Sequence, residues 1–467
     1  MLVYNSHMAE REAEHKNLFS YTVPIWVLLF VVLASIGAAA WSLTHLRNPV
    51  YNYELEAPLA DSPGKIALAY GSSPALAEPD FFASVERQFI AEEVSFVSTD
   101  LADMKVSVYK DGKLVKEVPI LSKGREGSWW ETPAGLYKIE SKEPSHYSSF
   151  GHVYQPWSMA FQGNFFIHGW PHYEDGSPVA AGYSGGCVRL STEDAKAVYD
   201  LVEVGMPVLV FERDYAPDGA GFESKQPTFA PDNYLVADLS SNFVFARRAP
   251  QKEAPIASIT KLMTALVAAE YINLDADITI TSSMLATTSV PRLVAGTRVS
   301  AYQLLYLLLL ESSNEAAEAY ARHVGRNYFV SLMNKKAAAI GMSHTHFVDP
   351  SGADEGNVST TEDLFALAKY ISNNRSFVLG ISSGRIQTSA YGESQFKNLK
   401  NFNDFAGTAT FAGGKVGKTI AAGETGLYLF DITIGESKRR IAVILLGSQD
   451  RKKDAQELLD FVRENFQ

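Results

Sequence analysis

The stretch Asp214–Pro231 limits what this chain can fold into more than any other. Its eighteen residues hold three prolines (Pro217, Pro227, Pro231), two glycines (Gly219, Gly221) and no Leu, Ile or Val. Such a segment has too little apolar surface to enter a core and too many backbone breakers to continue an element, so residues 214–230 read as a domain linker. It divides a chain of 467 residues, too long for one ordinary core, into parts that each need their own. Upstream, over 93–213, short runs such as Lys105 to Tyr109, Val115 to Leu121 and Phe165 to His168 alternate with Gly and Pro turns. That pattern predicts a mostly-β domain, a sandwich or barrel-like sheet. Downstream, over 231–467, two short strands around Ser240-Ser241-Asn242 give way to helical stretches from Leu262 to Tyr271 and Leu304 to Leu310, then strands from Gly426 to Ile434 and Arg440 to Leu446. This predicts an α+β domain. Ala455, Leu458, Leu459 and Val462 fall on one face of a last helix, Lys453 to Phe466, expected to pack on the sheet.

The N-terminus is organised differently. Residues 1–21 are polar, and no residue from Asn17 to Thr44 is charged. Val23 to Leu43 is 21 residues long, enough to cross a bilayer as a helix, with Trp26 and Trp41 suited to the two interfaces. The run is longer than a signal-peptide core and no Lys or Arg abuts it. We therefore read residues 22–43 as a retained anchor, not as a leader cleaved at Ala38-Ala39-Ala40. Residues 44–92 follow as a spacer rich in Pro, Ala, Gly and Ser, ending in a helical pattern from Phe81 to Glu93.

Cys187 is the only cysteine, so no intramolecular disulfide can form. It lies in the turn Ser184-Gly185-Gly186-Cys187, with Arg189 two residues on and His168 nineteen residues upstream. A nucleophilic thiol needs a base and donors for the oxyanion. A strand-borne His and a Cys behind glycines can supply them, and Arg189 would favour the thiolate. The aromatic and polar segment Ser145 to Trp157 reads equally as a surface loop or a wall of the cleft, and His172 as a solvated loop histidine. The pattern His168-Gly169, then a loop, then Ser184-x-Gly186-Cys187-Val188-Arg189-Leu190 resembles the catalytic signature of the L,D-transpeptidases over roughly residues 95 to 212. The resemblance implies Cys187 as nucleophile, His168 as its base, backbone N–H groups at Gly186 and Cys187 as oxyanion donors, and Ser184, Gly186 and Arg189 at the substrate. Gly185 stands where that family often has a second His.

The second domain carries three spaced motifs. Ser258-Ile259-Thr260-Lys261 begins a helix, where positions i and i+3 share a face. Glu311-Ser312-Ser313-Asn314 follows the apolar helix, and Gly413-Gly414-Lys415-Val416-Gly417-Lys418-Thr419 precedes two strands. The order S-x-x-K, S-x-N, K-x-G resembles the penicillin-binding D,D-carboxypeptidases from about Pro231 to the C-terminus. That resemblance implies a five-stranded antiparallel sheet with helices around it. Ser258 would be acylated, with Lys261 as base. Ser312 would relay protons, Asn314 would hold the substrate amide, Lys415 and Thr419 would face its carboxylate, and Gly417 would let the backbone approach. Val416 replaces the family Thr, which removes a hydrogen bond worth about 1–3 kcal/mol of recognition.

Together the resemblances imply peptidoglycan stem peptides as partners, β-lactams as inhibitors, no cofactor, and no metal, since no His/Cys/Asp cluster has ligand spacing. A net charge of −12 argues against nucleic acid. The anchor would place both domains on the extracytoplasmic side. The expected function is Ser-dependent trimming of D-Ala-D-Ala peptides coupled to Cys-dependent L,D-transpeptidation. Alternatives are L,D-carboxypeptidase hydrolysis by the first domain and a second domain that recognises wall without catalysis.

Overall fold

The computed structural model describes residues 81–212, 227, 231–386, 388–389 and 392–466. The expected tail, anchor, most of the spacer and nearly all of the linker lie outside these residues. Among the described residues no helix is long and apolar enough to cross a membrane.

After helix α1 (Phe81–Ala91), the first domain consists of nine strands and one helix: β1 (Phe96–Asp100), β2 (Lys105–Lys110), β3 (Lys113–Pro119), β4 (Gly135–Lys138), β5 (Ser141–Ser148), β6 (Val153–Gln162), β7 (Phe165–His168), β8 (Val188–Arg189), α2 (Thr192–Leu201) and β9 (Pro207–Phe211). They form two sheets, ordered β3-β2-β1-β9-β4 and β5-β6-β7-β8. Each sheet is mixed: β1 pairs β9 in parallel and β7 pairs β8 in parallel. Val97, Val106, Val108, Phe161, Ile167 and Val208 fill the core between them. Ser191 caps α2 by accepting from the Asp194 amide, which satisfies an orphan N–H at the helix start. The segment Ser145 to Trp157 is part of the β5–β6 hairpin, with Ser148 opposite Val153, and not an irregular loop. Pro144 just before it and Pro156 within it, together with its polar residues, obscure the alternation.

The second domain is built on an antiparallel sheet of β10 (Asn233–Asp238), β11 (Val244–Arg248), β12 (Phe411–Thr419), β13 (Gly423–Ile434) and β14 (Ser437–Ser448), ordered β11-β10-β14-β13-β12. Side chains alternate between its faces, as a pleated strand requires. Leu427, Leu429, Ala442 and Ile444 face the helices, whereas Tyr428, Phe430, Ile441 and Val443 face the other layer. The helical side holds α3 (Thr260–Tyr271), α4 (Ala301–Leu309), α5 (Asn314–Val324), α6 (Arg326–Ala339), α7 (Thr361–Asn374) and α8 (Ser376–Ser382). The opposite side is covered by α9 (Arg451–Asn465), which buries Ala455, Leu458, Leu459 and Val462. Helix α3 is buried along nearly its whole length. A turn at its N-terminus carries Ser258, and Glu270 lies near its C-terminus.

The domains meet through a buried polar cluster. Glu270 pairs with Lys336 at 2.9 Å and with Arg375 at 3.3 Å, all three side chains inaccessible. It also accepts from Tyr370 Oη at 2.8 Å and, from the first domain, from Gln162 Nε2 at 2.8 Å. Lys336 reaches back to donate to Tyr137 Oη at 2.8 Å. Apolar contacts interlock as well: Trp129 and Ala134 sit in the second domain's core, and Ala339 sits in the first's. Removing one member of a buried ion cluster strands the others. Glu270→Leu is therefore expected to lower stability by about 3–5 kcal/mol. Urea unfolding followed by circular dichroism checks this, and adding Lys336→Met should recover part of the loss. An unchanged midpoint for Glu270→Leu would contradict the account.

Candidate active sites

The thiol site lies where β7 and β8 run side by side. His168 is opposite Arg189 and Ile167 opposite Val188, so Cys187, Arg189 and His168 share one face of the sheet. His168 is buried, and its Nδ1 lies 2.6 Å from the Gly169 carbonyl oxygen. A carbonyl only accepts, so Nδ1 carries the proton and Nε2 keeps its lone pair. Nε2 is buried and has no hydrogen-bond partner. Burial holds the imidazole down to about 4, against the opposing effect of the Gly169 bond. Burial likewise pushes the Cys187 thiol up to about 11, while a hydrogen bond from the Phe166 backbone and the Arg189 charge pull the other way. At neutral pH both groups rest uncharged, one holding a proton and the other an open basic site.

The turn that carries Cys187 is held from within. Ser184 Oγ donates to the Cys187 carbonyl at 2.5 Å and accepts from the Gly186 amide at 3.0 Å. Gly186 has φ +106, and a Cβ there would fall 2.2 Å from the Phe165 ring, so only glycine fits. A side chain at position 185 would meet the Phe150 ring at 3.5 Å. The β5–β6 hairpin thus borders the turn. Arg189 lies over the Trp170 ring at 5.6 Å. His172 is bound into the structure: its ring stacks on Tyr154 and its backbone pairs with Tyr154 in both directions. Sequence reasoning missed Gln155, a buried β6 residue whose side chain hydrogen-bonds Cys187. A lone Gln in a segment that reads equally as a loop or a cleft wall carries no signal.

The serine site lies at the free edge of the second sheet, beside β12. Ser258 sits in the short turn Ala257–Ile259 that opens α3. Lys261 Nζ is 2.9 Å from Ser258 Oγ, 2.8 Å from Asn314 Oδ1 and 2.6 Å from the Ser351 carbonyl oxygen. Burial lowers the Lys261 amine to about 7, with the Asp349 charge opposing. A neutral amine has two N–H donors and one lone pair. Asn314 Oδ1 and the Ser351 carbonyl only accept, so they take both protons and the lone pair faces the Ser258 hydroxyl. Asn314 is itself fixed, its Nδ2 donating to the Thr287 carbonyl at 2.8 Å. Ser312 holds φ +57 just before α5, a strained setting for a residue with a Cβ and one that clusters at functional sites.

Gly417 brings β12 against the Ser258 turn. A Cβ there would lie 2.6 Å from the Ser258 amide nitrogen and 2.8 Å from Ala257 Cβ. Lys415 is buried, donates to the Val416 carbonyl at 2.8 Å, and is held well below the usual lysine range by burial and by the charges of Lys261 and Arg451. Val416 is buried among the residues facing α9, on the opposite face of β12 from Lys415. Thr419 ends β12, where its hydroxyl accepts from the Ala422 amide at 3.0 Å. Sequence reasoning also missed Arg451, which pairs with Asp404 at 2.8 Å and reaches the Gly417 carbonyl at 3.4 Å. It lies before Lys453, where the last helix was expected to begin. Sequence reasoning missed Ser351 as well, whose carbonyl oxygen lies 2.6 Å from Lys261 Nζ.

Two outcomes follow. With the neutral Lys261 amine as base, Ser258 acylation by a fluorescent penicillin should fall about tenfold per unit as pH drops below about 7. A flat profile between pH 5 and 8 would remove Lys261 from that role. Gly417→Ala should abolish the same acylation, because the added methyl has no room.

The family described as L,D-transpeptidase catalytic domain matches residues 95–210, and the family described as D-alanyl-D-alanine carboxypeptidase matches residues 220–449. A D-alanyl-D-alanine endopeptidase of Escherichia coli (strain K12) is 37% identical over 32% of this chain and 51% of its own length. One from Pseudomonas aeruginosa is 40% identical over 32% of this chain and 50% of its own. This chain therefore spans about half the length of each. A solved D-alanyl-D-alanine carboxypeptidase from Mycobacterium tuberculosis H37Rv is 28% identical, covering 52% of this chain and 94% of that one, with TM-score 0.45. The chain thus joins a domain of the L,D-transpeptidase catalytic family, holding Cys187, to a domain of the D-alanyl-D-alanine carboxypeptidase family, holding Ser258.

Proposed function

We propose that this chain remodels peptidoglycan in two steps, the serine domain making the donor that the cysteine domain uses. The observation that carries the reading is Lys261 Nζ standing 2.9 Å from Ser258 Oγ, with Asn314 Oδ1 and the Ser351 carbonyl oxygen as its other partners. In the first step the Ser258 proton passes to Lys261 as Oγ attacks the carbonyl of a D-Ala-D-Ala bond. The terminal D-Ala leaves with that proton, and water releases the shortened peptide. A substrate strand alongside the free edge of β12 would bring its backbone to the Ser258 amide.

In the second step the Cys187 thiol gives its proton to His168 Nε2 and attacks the L,D-bond of the resulting tetrapeptide. D-Ala leaves, and an acceptor amine takes the acyl group. The neutral resting pair suits this sequence: the ion pair forms only as the carbonyl is attacked. The N-terminal apolar run would hold both domains on the outer side of a membrane, next to newly made wall.

A second reading concerns the serine step. The two quoted bacterial relatives are named endopeptidases, which favours cleavage of an internal D-Ala bond as well as a terminal one. Mass spectrometry of products from defined tetrapeptide, pentapeptide and cross-linked muropeptides separates the readings. A cross-linked product should vanish with Cys187→Ala, and release of D-Ala from pentapeptide with Ser258→Ala. Cross-linking of pentapeptide that survives Ser258→Ala would sink the coupled scheme, and loss of cross-linked dimer dependent on Ser258 would establish the endopeptidase.

A further inference from the structure

The Cys187 turn does not rest on its own domain alone. Thr132 Oγ1 donates to the Gly186 carbonyl at 2.8 Å and accepts from the Gly124 amide at 2.9 Å. The Trp130 carbonyl oxygen stands 2.7 Å from where a Gly186 Cβ would be. The segment 129–134 therefore forms one wall of the turn. That segment is rooted in the other domain: Trp129 and Ala134 belong to the second domain's core, and Trp130 packs against it.

The other wall leads the same way. The Phe165 ring fills the space that the missing Gly186 side chain leaves. Over that ring, 5.9 Å from its centroid, lies the guanidinium of Arg375 from the junction of α7 and α8. Arg375 is fully buried and is anchored on Glu270 at 3.3 Å and on the Asn374 carbonyl at 2.6 Å. Its charge also acts on Glu131, within the first wall, and Glu131 in turn accepts from the Gly127 amide at 2.8 Å. A planar cation over an aromatic face in a dry setting is a specific contact.

We propose that the second domain completes the thiol site, with Arg375 as a positioning residue that presses Phe165 against Gly186 and so fixes the turn carrying Cys187. The first domain is then not a self-sufficient catalyst. Its nucleophile is set by a side chain in the domain that holds Ser258.

The test uses the full chain and two probes. Iodoacetamide marks Cys187, the only thiol, and intact mass reads the rate. Fluorescent penicillin marks Ser258 and reports that the second domain is folded. Arg375→Met should change the alkylation rate about tenfold, the scale of a coupling between packed neighbours, with Ser258 acylation within about twofold of wild type. Phe165→Leu, which leaves every buried charge paired, should move alkylation in the same direction. The double variant should do no more than the larger single change. If Arg375→Met loses penicillin labelling through misfolding, Phe165→Leu decides alone. Alkylation within about twofold of wild type in every variant that still labels Ser258 overturns the proposal. Alkylation needs no peptide substrate, so this result stands apart from the fate of the two-step reading above.

Discussion

A carboxylate without access to water holds this molecule together. Glu270 is surrounded by Lys336, Arg375, Tyr370 and Gln162, drawn from both domains. Burying such a charge is costly unless cations and donors surround it in good geometry. Each of those partners is therefore committed to one place. Glu270 is also near the last turn of α3, whose twelve residues span about 18 Å. The anchor for the domain junction and the mount for Ser258 are two ends of one rigid rod.

The two sites arrive at the same physical solution on unrelated folds. In each, burial disfavours the charged form of a basic side chain: His168 is held down to about 4 and Lys261 lowered to about 7. In each, acceptor-only groups take the protons that the base retains, the Gly169 carbonyl in one case and Asn314 Oδ1 with the Ser351 carbonyl in the other. The lone pair is thereby aimed without a negatively charged orienting residue. Burial also holds Lys415 below its usual range, with charge on Lys261 and Arg451 acting in the same direction.

Much of this was legible in the chain because the chemistry sits in local patterns. Ser258 and Lys261 are three apart on a helix start, and the Gly-rich turn before Cys187 and the Gly–Lys–x–Gly run on β12 are contiguous. The amphipathic last helix followed from a period of 3.6, and the five-stranded sheet was what the family resemblance implied. What escaped was non-local. Gln155 reaches Cys187 across a hairpin that its prolines disguised, and Arg451 reaches Gly417 from the far end of the chain. Glu270 carried no signal of its own, because its partners Lys336 and Arg375 lie far along the sequence. Val416, at the position where a hydroxyl was missed, proves to face the α9 layer among aromatic residues, so its side chain contributes packing.

The solitary thiol has a further consequence. Oxidants attack thiolates, and a sulfenic acid is ordinarily rescued by a neighbouring cysteine that condenses with it. This chain has no second cysteine, so damage at Cys187 cannot be repaired from within the molecule. Its defence is the environment that keeps the sulfur protonated: burial that raises the thiol, with Arg189 too weak a counterweight to ionise it. The same dryness that keeps the Cys187 sulfur protonated shields it from peroxide.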